Sequence, residues 1–205
     1  MKFLYGTGNA AKLEAMQRRL EMLPVEIIGL KEMGDSIPDV PEDGKTPLEN
    51  ARQKAEAYYK AYGMPVFSCD SAMYLEGVPA ALQPGVHTRR VGGKILNDTE
   101  MIAYYGGLAK QYGQLVTCYR NAICLIVDSD HVYESMDESL ASAPFMITDQ
   151  PHPIRKDGFP IDSLSLDMAT GKYFYDLEES VRDQVAIEEG FLTFFENVLK
   201  ALQTQ

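Results

Sequence analysis

Residues 1–23 read MKFLYGTGNAAKLEAMQRRLEML, and the fold class turns on this stretch. Lys2 to Tyr5 is a short run suited to a strand, and Gly6-Thr7-Gly8-Asn9 is a tight connection. Ala10 to Leu23 then sets Leu13, Met16, Leu20 and Leu23 at helical spacing on one face. Strand, turn and helix in that order predict the opening of an α/β protein. The turn also carries chemistry. A helix N-terminus presents unpaired backbone N–H groups and the positive end of its dipole, and both attract phosphate. Thr7 and Asn9 can add side-chain hydrogen bonds, and Lys12, one turn in, can reach back as a point charge. The same residues also read as a capped helix start with a surface lysine, because the loop is neither G-x-G-x-x-G nor a Walker A sequence.

Outward from this unit, Val25 to Leu30 reads as a second strand after Pro24, and residues 31–46, rich in Asp, Pro and Gly, as a loop. Pro47 to Tyr62 predicts a helix with proline in its first turn and Ala51, Ala55, Tyr58 and Tyr62 on one side. Gly63 ends it, and Pro65 to Cys69 is an apolar strand. Leu75 to Gly93 is loop-like. Asn97 to Tyr112 is helical in pattern, opened by an Asp98/Thr99 cap and weakened at Gly106-Gly107. Val116 to Val127 reads as a strand, Tyr133 to Ile147 as a further strand or hairpin, and Glu178 to Leu202 as the last helix, with Phe191, Phe194, Phe195, Val198 and Leu199 inward. There is no repeat, low-complexity tract or interdomain linker. The expectation is therefore one domain over residues 1–205, an α/β fold with a mixed sheet.

The chain has 205 residues, 45% of them hydrophobic, and a formal net charge of −11. A chain of this length buries most of its apolar surface without staples. The acidic balance argues against coating DNA or RNA, while a small anion remains acceptable where lysines and a divalent cation neutralise it locally. Cys69, Cys118 and Cys124 lack metal or disulfide spacing, which fits a reducing compartment. The N-terminus has too few apolar residues for a signal peptide, and no stretch is long enough to span a bilayer. A cytoplasmic protein with no membrane partner is expected. His87, His131 and His152 are dispersed and show no metal spacing.

Two further segments carry candidate chemistry. In Glu42-Asp43-Gly44-Lys45-Thr46-Pro47-Leu48-Glu49-Asn50-Ala51-Arg52-Gln53-Lys54 a loop carboxylate, Glu42, precedes a helical lysine, Lys54. Such a pair can hold a magnesium–phosphate assembly, since Mg²⁺ takes few carboxylates plus phosphate oxygens and water; it also reads as a solvated helix start. In Val66-Phe67-Ser68-Cys69-Asp70-Ser71 an aspartate falls at the C-terminal end of an apolar strand, where open α/β sheets build their sites. Asp70 is then either at the mouth of a pocket or hydrogen-bonded to a turn, because a buried carboxylate requires a partner.

Together these segments resemble the inosine/xanthosine triphosphate pyrophosphatase, or Ham1-like, family. Its pattern is a T-x-N-x-x-K-x-x-E start, an E-x-G-x-T…E-N-A…K middle, a D-D-S-G strand end and a later P-G-V/I segment. The chain supplies Thr7, Asn9 and Lys12; then Glu42, Gly44, Thr46, Glu49, Asn50, Ala51 and Lys54; then Asp70-Ser71; then Pro84-Gly85-Val86 leading to Arg89 and Arg90. Gly158-Phe159-Pro160-Ile161-Asp162 is similar to the family's G-F-G-Y-D, and Ser180-Val181-Arg182 to its S-H-R. The resemblance is dense before residue 115 and scattered after it.

The resemblance implies an elongated α/β fold, a mixed sheet flanked by helices, with two lobes around a central active-site cleft, usually dimeric. It implies Mg²⁺-dependent hydrolysis of the α–β linkage of non-standard purine nucleoside triphosphates (ITP, dITP, XTP), giving monophosphate and pyrophosphate. On that analogy Thr7, Asn9, Lys12 and Lys54 grip the triphosphate, with Ser71 also on the substrate. Glu42 and Asp70 hold the metal, Asp70 is the base for the attacking water, and Asp70, Lys12 and Lys54 are the catalytic set. Phe159 stacks on the purine, and Asp162, Ser180 and Arg182 read its edge. Cys69 stands where the family has an acid, Ala15 where it has a glutamate, Ala72 where it has a glycine and Val181 where it has a histidine. These departures leave two alternatives: the same chemistry on another modified nucleotide, or a nucleotide-binding relative that has lost turnover.

Overall fold

The structure, a computed structural model, describes residues 1–34, 36–178 and 189–204. The chain divides into two compact units. Met1–Ser71, Arg120–Ala141 and Glu188–Gln205 make the first, and Ala72–Tyr119 with Ser142–Ile187 make the second.

In the first unit β1 (Lys2–Tyr5) runs parallel to both β2 (Glu26–Gly29) and β3 (Val66–Leu75), with Leu4 opposite Val66 and Tyr5 opposite Phe67. Phe3, Leu4 and Tyr5 are all buried, as expected of a parallel strand covered on both faces. On one face α1 (Ala10–Arg19) brings Met16 against Phe3, Tyr5 and Phe67, and α4 (Glu189–Gln203) adds Phe191, Phe195 and Val198 to the same core. Phe195 lies 5.8 Å from Phe3 and 5.1 Å edge-on to Phe67, ring to ring. Under the other face α2 (Pro47–Tyr62) packs Tyr58 on Leu4, Ile28 and Val66. β6 (Leu115–Ile126) pairs antiparallel with β7 (Val132–Ser135).

The local reasons for α2 are those its sequence offers. Thr46 caps it by accepting from the Glu49 N–H, Pro47 occupies its first turn, and Gly63 ends it in the left-handed region at φ 61°. Helix α1 is shorter than its periodicity predicts, ending at Arg19. Pro24 forces Leu23 toward extended backbone, and residues 20–23 close a turn instead, with the Leu23 N–H on the Leu20 carbonyl.

In the second unit β6 pairs antiparallel with β8 (Phe145–Ile147), and β8 with β9 (Ser165–Asp167). Met73, Leu75, Met101, Tyr105, Phe145, Ile147, Ile161 and Leu164 form its core. At the end of the span expected to be loop, β4 (Arg90–Val91) makes a hairpin with β5 (Lys94–Ile95), which lies just beyond it. Gly92 and Gly93 carry the two positive φ angles, 58° and 81°, that a two-residue turn of this kind demands. Helix α3 (Asp98–Tyr112) is capped by Asn97 in a box with Glu100, not by Asp98 or Thr99. The helix runs through Gly106-Gly107 all the same, with Gly106 buried and Met101, Tyr105, Leu108 and Ala109 in the core on either side of it. The strand order is β2-β1-β3-β6-β8-β9, with β7 also on β6, which is the mixed sheet expected.

Candidate active site

β3 does not stop at Cys69 but continues to Leu75. Asp70 is therefore inside a strand rather than at its end. It nevertheless lies three residues past Phe67, the last β3 partner of β1, so the sheet beside it has already opened. The β1 chain departs at Gly6, whose N–H donates to the Phe67 carbonyl. A Cβ on Gly6 would stand 2.2 Å from Ser68 Oγ and 2.6 Å from the Tyr58 ring, so only glycine lets the turn leave so close to β3.

The turn itself is a finished cap. Asn9 Oδ1 accepts from the Ala11 and Lys12 N–H groups at 2.9 and 3.3 Å, and Thr7 Oγ1 accepts from the Asn9 N–H. The geometry is that of the capped helix start: Thr7 and Asn9 build it, and the Ala11 and Lys12 amides are already in service to Asn9. Lys12 follows half a turn later and is half-buried. Burial lowers its ammonium below the ordinary lysine range, and the neighbouring Lys54 charge adds to this. Asp70, Cys69 and Glu42 pull in the opposite direction.

Helix α2 supplies the centre. Its buried stripe is Pro47, Asn50, Ala51, Lys54, Ala55 and Tyr58, so Asn50 and Lys54 stand one turn apart on the face that meets the sheet. Lys54 Nζ donates to Asp70 Oδ1 at 2.9 Å and to the Cys69 carbonyl at 3.1 Å, and stands 3.7 Å from Glu42 Oε2. Asn50 Nδ2 donates to Asp70 Oδ2 at 3.0 Å. Lys54 and Asp70 are each only 8% exposed, so their charges are held by one another and by these hydrogen bonds rather than by water. Two donors on two oxygens leave carboxylate lone pairs still available to a water or a metal ion. By the alternation of the strand, Ser71 faces away from Asp70 and is half-buried.

The structure thus brings Lys12, Glu42, Lys54 and Asp70 within one electrostatic neighbourhood, with Thr7 and Asn9 shaping its rim, all in the first unit. Phe159 and Asp162 are in the second. Phe159 precedes a 3₁₀ turn of residues 160–164, with Lys156 Nζ 5.1 Å from its ring centroid. Asp162 lies in that turn. Burial pushes its carboxyl up to about 6, against the pull of Lys156, and no hydrogen-bond donor among the described residues reaches it. Ser180, Val181 and Arg182 lie outside the described residues. Sequence reasoning gave no role to Asn50, although it was quoted in the motif; the i, i+4 spacing from Lys54 was the signal available. Asp98, read as a cap, instead pairs with Arg89 at 2.7 Å and accepts from the Gly158 N–H, fixing the segment before Phe159.

Mg²⁺ can be tested against these residues. Among the described residues no three His, Cys, Asp or Glu side chains converge as a metal cage. Two carboxylates, Asp70 and Glu42, do converge on a cation, the Lys54 ammonium. One or two carboxylates are what Mg²⁺ uses when phosphate and water complete its shell, so the donor set fits a metal arriving with a polyphosphate.

The Ham1 family model matches residues 3–141. A dITP/XTP pyrophosphatase of Porphyromonas gingivalis is 35% identical over 139 residues, 67% of this chain and 70% of that protein. One of Xanthomonas oryzae is 36% identical over 91 residues, 44% of each, so the chain matches under half of that relative's length. Among solved structures, a HAM1 protein from Coxiella burnetii covers all of both chains at a TM-score of 0.72 and 23% identity. A nucleoside-triphosphatase / dITP/XTP pyrophosphatase from Mycobacterium abscessus covers 91% of this chain and 93% of its own at 0.62 and 22%. These two establish the fold. The family match runs from β1 through Thr7, Lys12, Glu42, Lys54 and Asp70 and ends before Phe159; on its span, and on the P. gingivalis likeness, the chain belongs to the Ham1 family.

Proposed function

We propose that this chain hydrolyses non-standard purine nucleoside triphosphates (ITP, dITP, XTP) to the monophosphate and pyrophosphate. The observation that carries the reading is the buried Lys54–Asp70 pair, with Glu42 and Lys12 beside it, one strand away from a capped helix start. A carboxylate held by an ammonium on one oxygen and an amide on the other still has lone pairs with which to take a proton from water, and the surrounding lysines can balance phosphate charge.

In this reading the water oxygen bonds to the α-phosphorus, its proton passes to an Asp70 oxygen, and the bond to the bridging oxygen breaks, releasing pyrophosphate. Lys12 and Lys54 hold the polyphosphate, and Thr7 and Asn9 keep the helix start in register for it. Glu42 and Asp70 would hold Mg²⁺, which supplies Lewis-acid neutralisation of phosphate charge when bound. Phe159 provides a face for the purine, and Asp162, Ser180 and Arg182 its edge contacts. Residues 1–205 act as one catalytic domain, in a cytoplasmic homodimer whose acidic surface keeps it off nucleic acid. Among the described residues no helix is long and apolar enough to cross a membrane.

The test is pyrophosphate release from a panel of ITP, dITP, XTP, the four standard triphosphates and modified pyrimidine triphosphates, with and without Mg²⁺. Preferential release from the inosine and xanthosine nucleotides supports the reading. Release from another nucleotide alone transfers the same chemistry to that substrate, and tight binding with no release in any arm identifies a binding protein.

A further inference from the structure

We infer that Asn50 is the positioning residue of this site: a single buried amide that aims Asp70 and at the same time anchors the Glu42 loop. The inference rests on the hydrolytic reading above for its kinetic half only.

Asn50 is 1% exposed, and both ends of its amide are engaged. Nδ2 donates to Asp70 Oδ2 at 3.0 Å, and Oδ1 accepts from the Gly44 N–H at 2.8 Å. The two partners dictate the same orientation of the amide, since a backbone N–H can only donate and an ionised carboxylate can only accept. A flipped amide would leave both contacts repulsive. With Lys54 on Oδ1 and Asn50 on Oδ2, helix α2 presents one donor to each carboxylate oxygen, so the plane of the Asp70 carboxyl cannot turn.

The other end of the amide explains the glycine. A Cβ on Gly44 would lie 2.6 Å from Asn50 Oδ1 and 2.8 Å from Glu49 Cβ, so the loop approaches the helix only because residue 44 has no side chain. Glu42 is two residues before this anchor, and the Lys45 N–H on Glu49 Oε2 at 2.6 Å holds the loop from the next residue. Asn50 touches no reacting atom in this arrangement. It fixes the distance between the two carboxylates, Asp70 directly and Glu42 through the loop, and a buried hydrogen-bond relay of this kind transmits small errors in position into rate.

Asn50→Asp separates the two tasks. It keeps the size and the acceptor for Gly44 but replaces the donor facing Asp70 with an acceptor, whereas Asn50→Ala removes both. For Asn50→Asp we expect kcat at saturating triphosphate to fall about 10- to 100-fold, the loss of one hydrogen bond to a charged group expressed as a rate. The Gly44 amide should stay protected from hydrogen exchange in Asn50→Asp and lose protection in Asn50→Ala. If Asn50 served only to hold the loop, Asn50→Asp would keep the wild-type kcat, and that result overturns the inference. So does equal Gly44 exchange in wild type and Asn50→Ala. Should a variant fail to fold, the wild-type protein alone decides: slow exchange of the Asn50 side-chain amide protons is required, and fast exchange refutes the clamp. A wild-type chain that releases no pyrophosphate from any nucleotide defeats the hydrolytic reading, while the exchange measurements still pass judgement on the clamp.

Discussion

The two units treat a carboxyl in opposite ways. In the first, Asp70 is surrounded by donors: Lys54 on one oxygen, Asn50 on the other, and a second carboxylate, Glu42, sharing the lysine. In the second, Asp162 is half-buried without a hydrogen-bond donor among the described residues, and desolvation pushes its carboxyl up to about 6. The donors around Asp70 fix its two oxygens in place, whereas the Asp162 carboxyl, raised by desolvation, spends part of the ordinary pH range as a neutral acid, able to donate.

The largest effect expected from this contrast is at Asp70. Asp70→Asn keeps the shape and the Lys54 contact but removes the proton acceptor, so pyrophosphate release should fall by about 10³-fold, in the range of general-base catalysis. A variant that keeps near-wild-type turnover with Mg²⁺ would take Asp70 out of the chemistry. Next comes Lys54→Met, which leaves Asp70 buried with only Asn50. Breaking a buried pair from one side should cost about 3–5 kcal/mol, read as a lowered midpoint in urea unfolding. An unchanged midpoint would mean that water reaches Asp70 and that the pair is not held by burial.

Asp162 gives the opposite sign. Its native carboxyl titrates near 6 and its unfolded one near 3.8, so between those values the folded chain binds more protons than the unfolded one. Its contribution is fully present below the unfolded value and is lost as pH rises through 6. Stability should therefore decline by about 2 kcal/mol across that window from this group alone. Asp162→Asn should flatten the slope and be the more stable protein at pH 7. If denaturation series at pH 4, 5, 6 and 7 give wild type and variant the same slope, the contrast between the units fails. The smallest effect concerns selectivity: Val181→His should raise the kcat/KM ratio of ITP over ATP about tenfold, about 1.4 kcal/mol, by adding a hydrogen-bonding reader. A natural protein already rejecting ATP by several orders of magnitude would show that no reader is missing.

The same division governs what could be read from the residues alone. Helix α2 was legible because its signals are local: Thr46, Pro47 and Gly63 act on their own neighbours. The partnership of Lys54 with Asp70 was legible only through the resemblance, which put both in one site without saying that they touch. The double role of Asn50 was not legible, since Gly44, Asn50 and Asp70 meet only when loop, helix and strand have assembled. The length of β3 was misread for a related reason. Asp70 and Ser71 look like a strand end by composition, and the burial of Met73 and Leu75 in the second unit's core overrides that propensity. Asn97 was passed over as a cap in favour of Asp98, whose carboxylate is committed instead to Arg89 and Gly158.

The first unit is assembled from three separated stretches of chain, and the packing of Phe195 against Phe3 and Phe67 sets a schedule for synthesis. A ribosome making this chain delivers β1 to β3, with the capped turn and Asp70, more than a hundred residues before α4. Until Phe191 and Phe195 join it, the face that α1 covers is only partly closed, and contacts this distant in sequence form slowly. The nascent chain therefore carries a partly exposed aromatic surface until α4 arrives, the condition under which a folding chain most needs a chaperone's shelter.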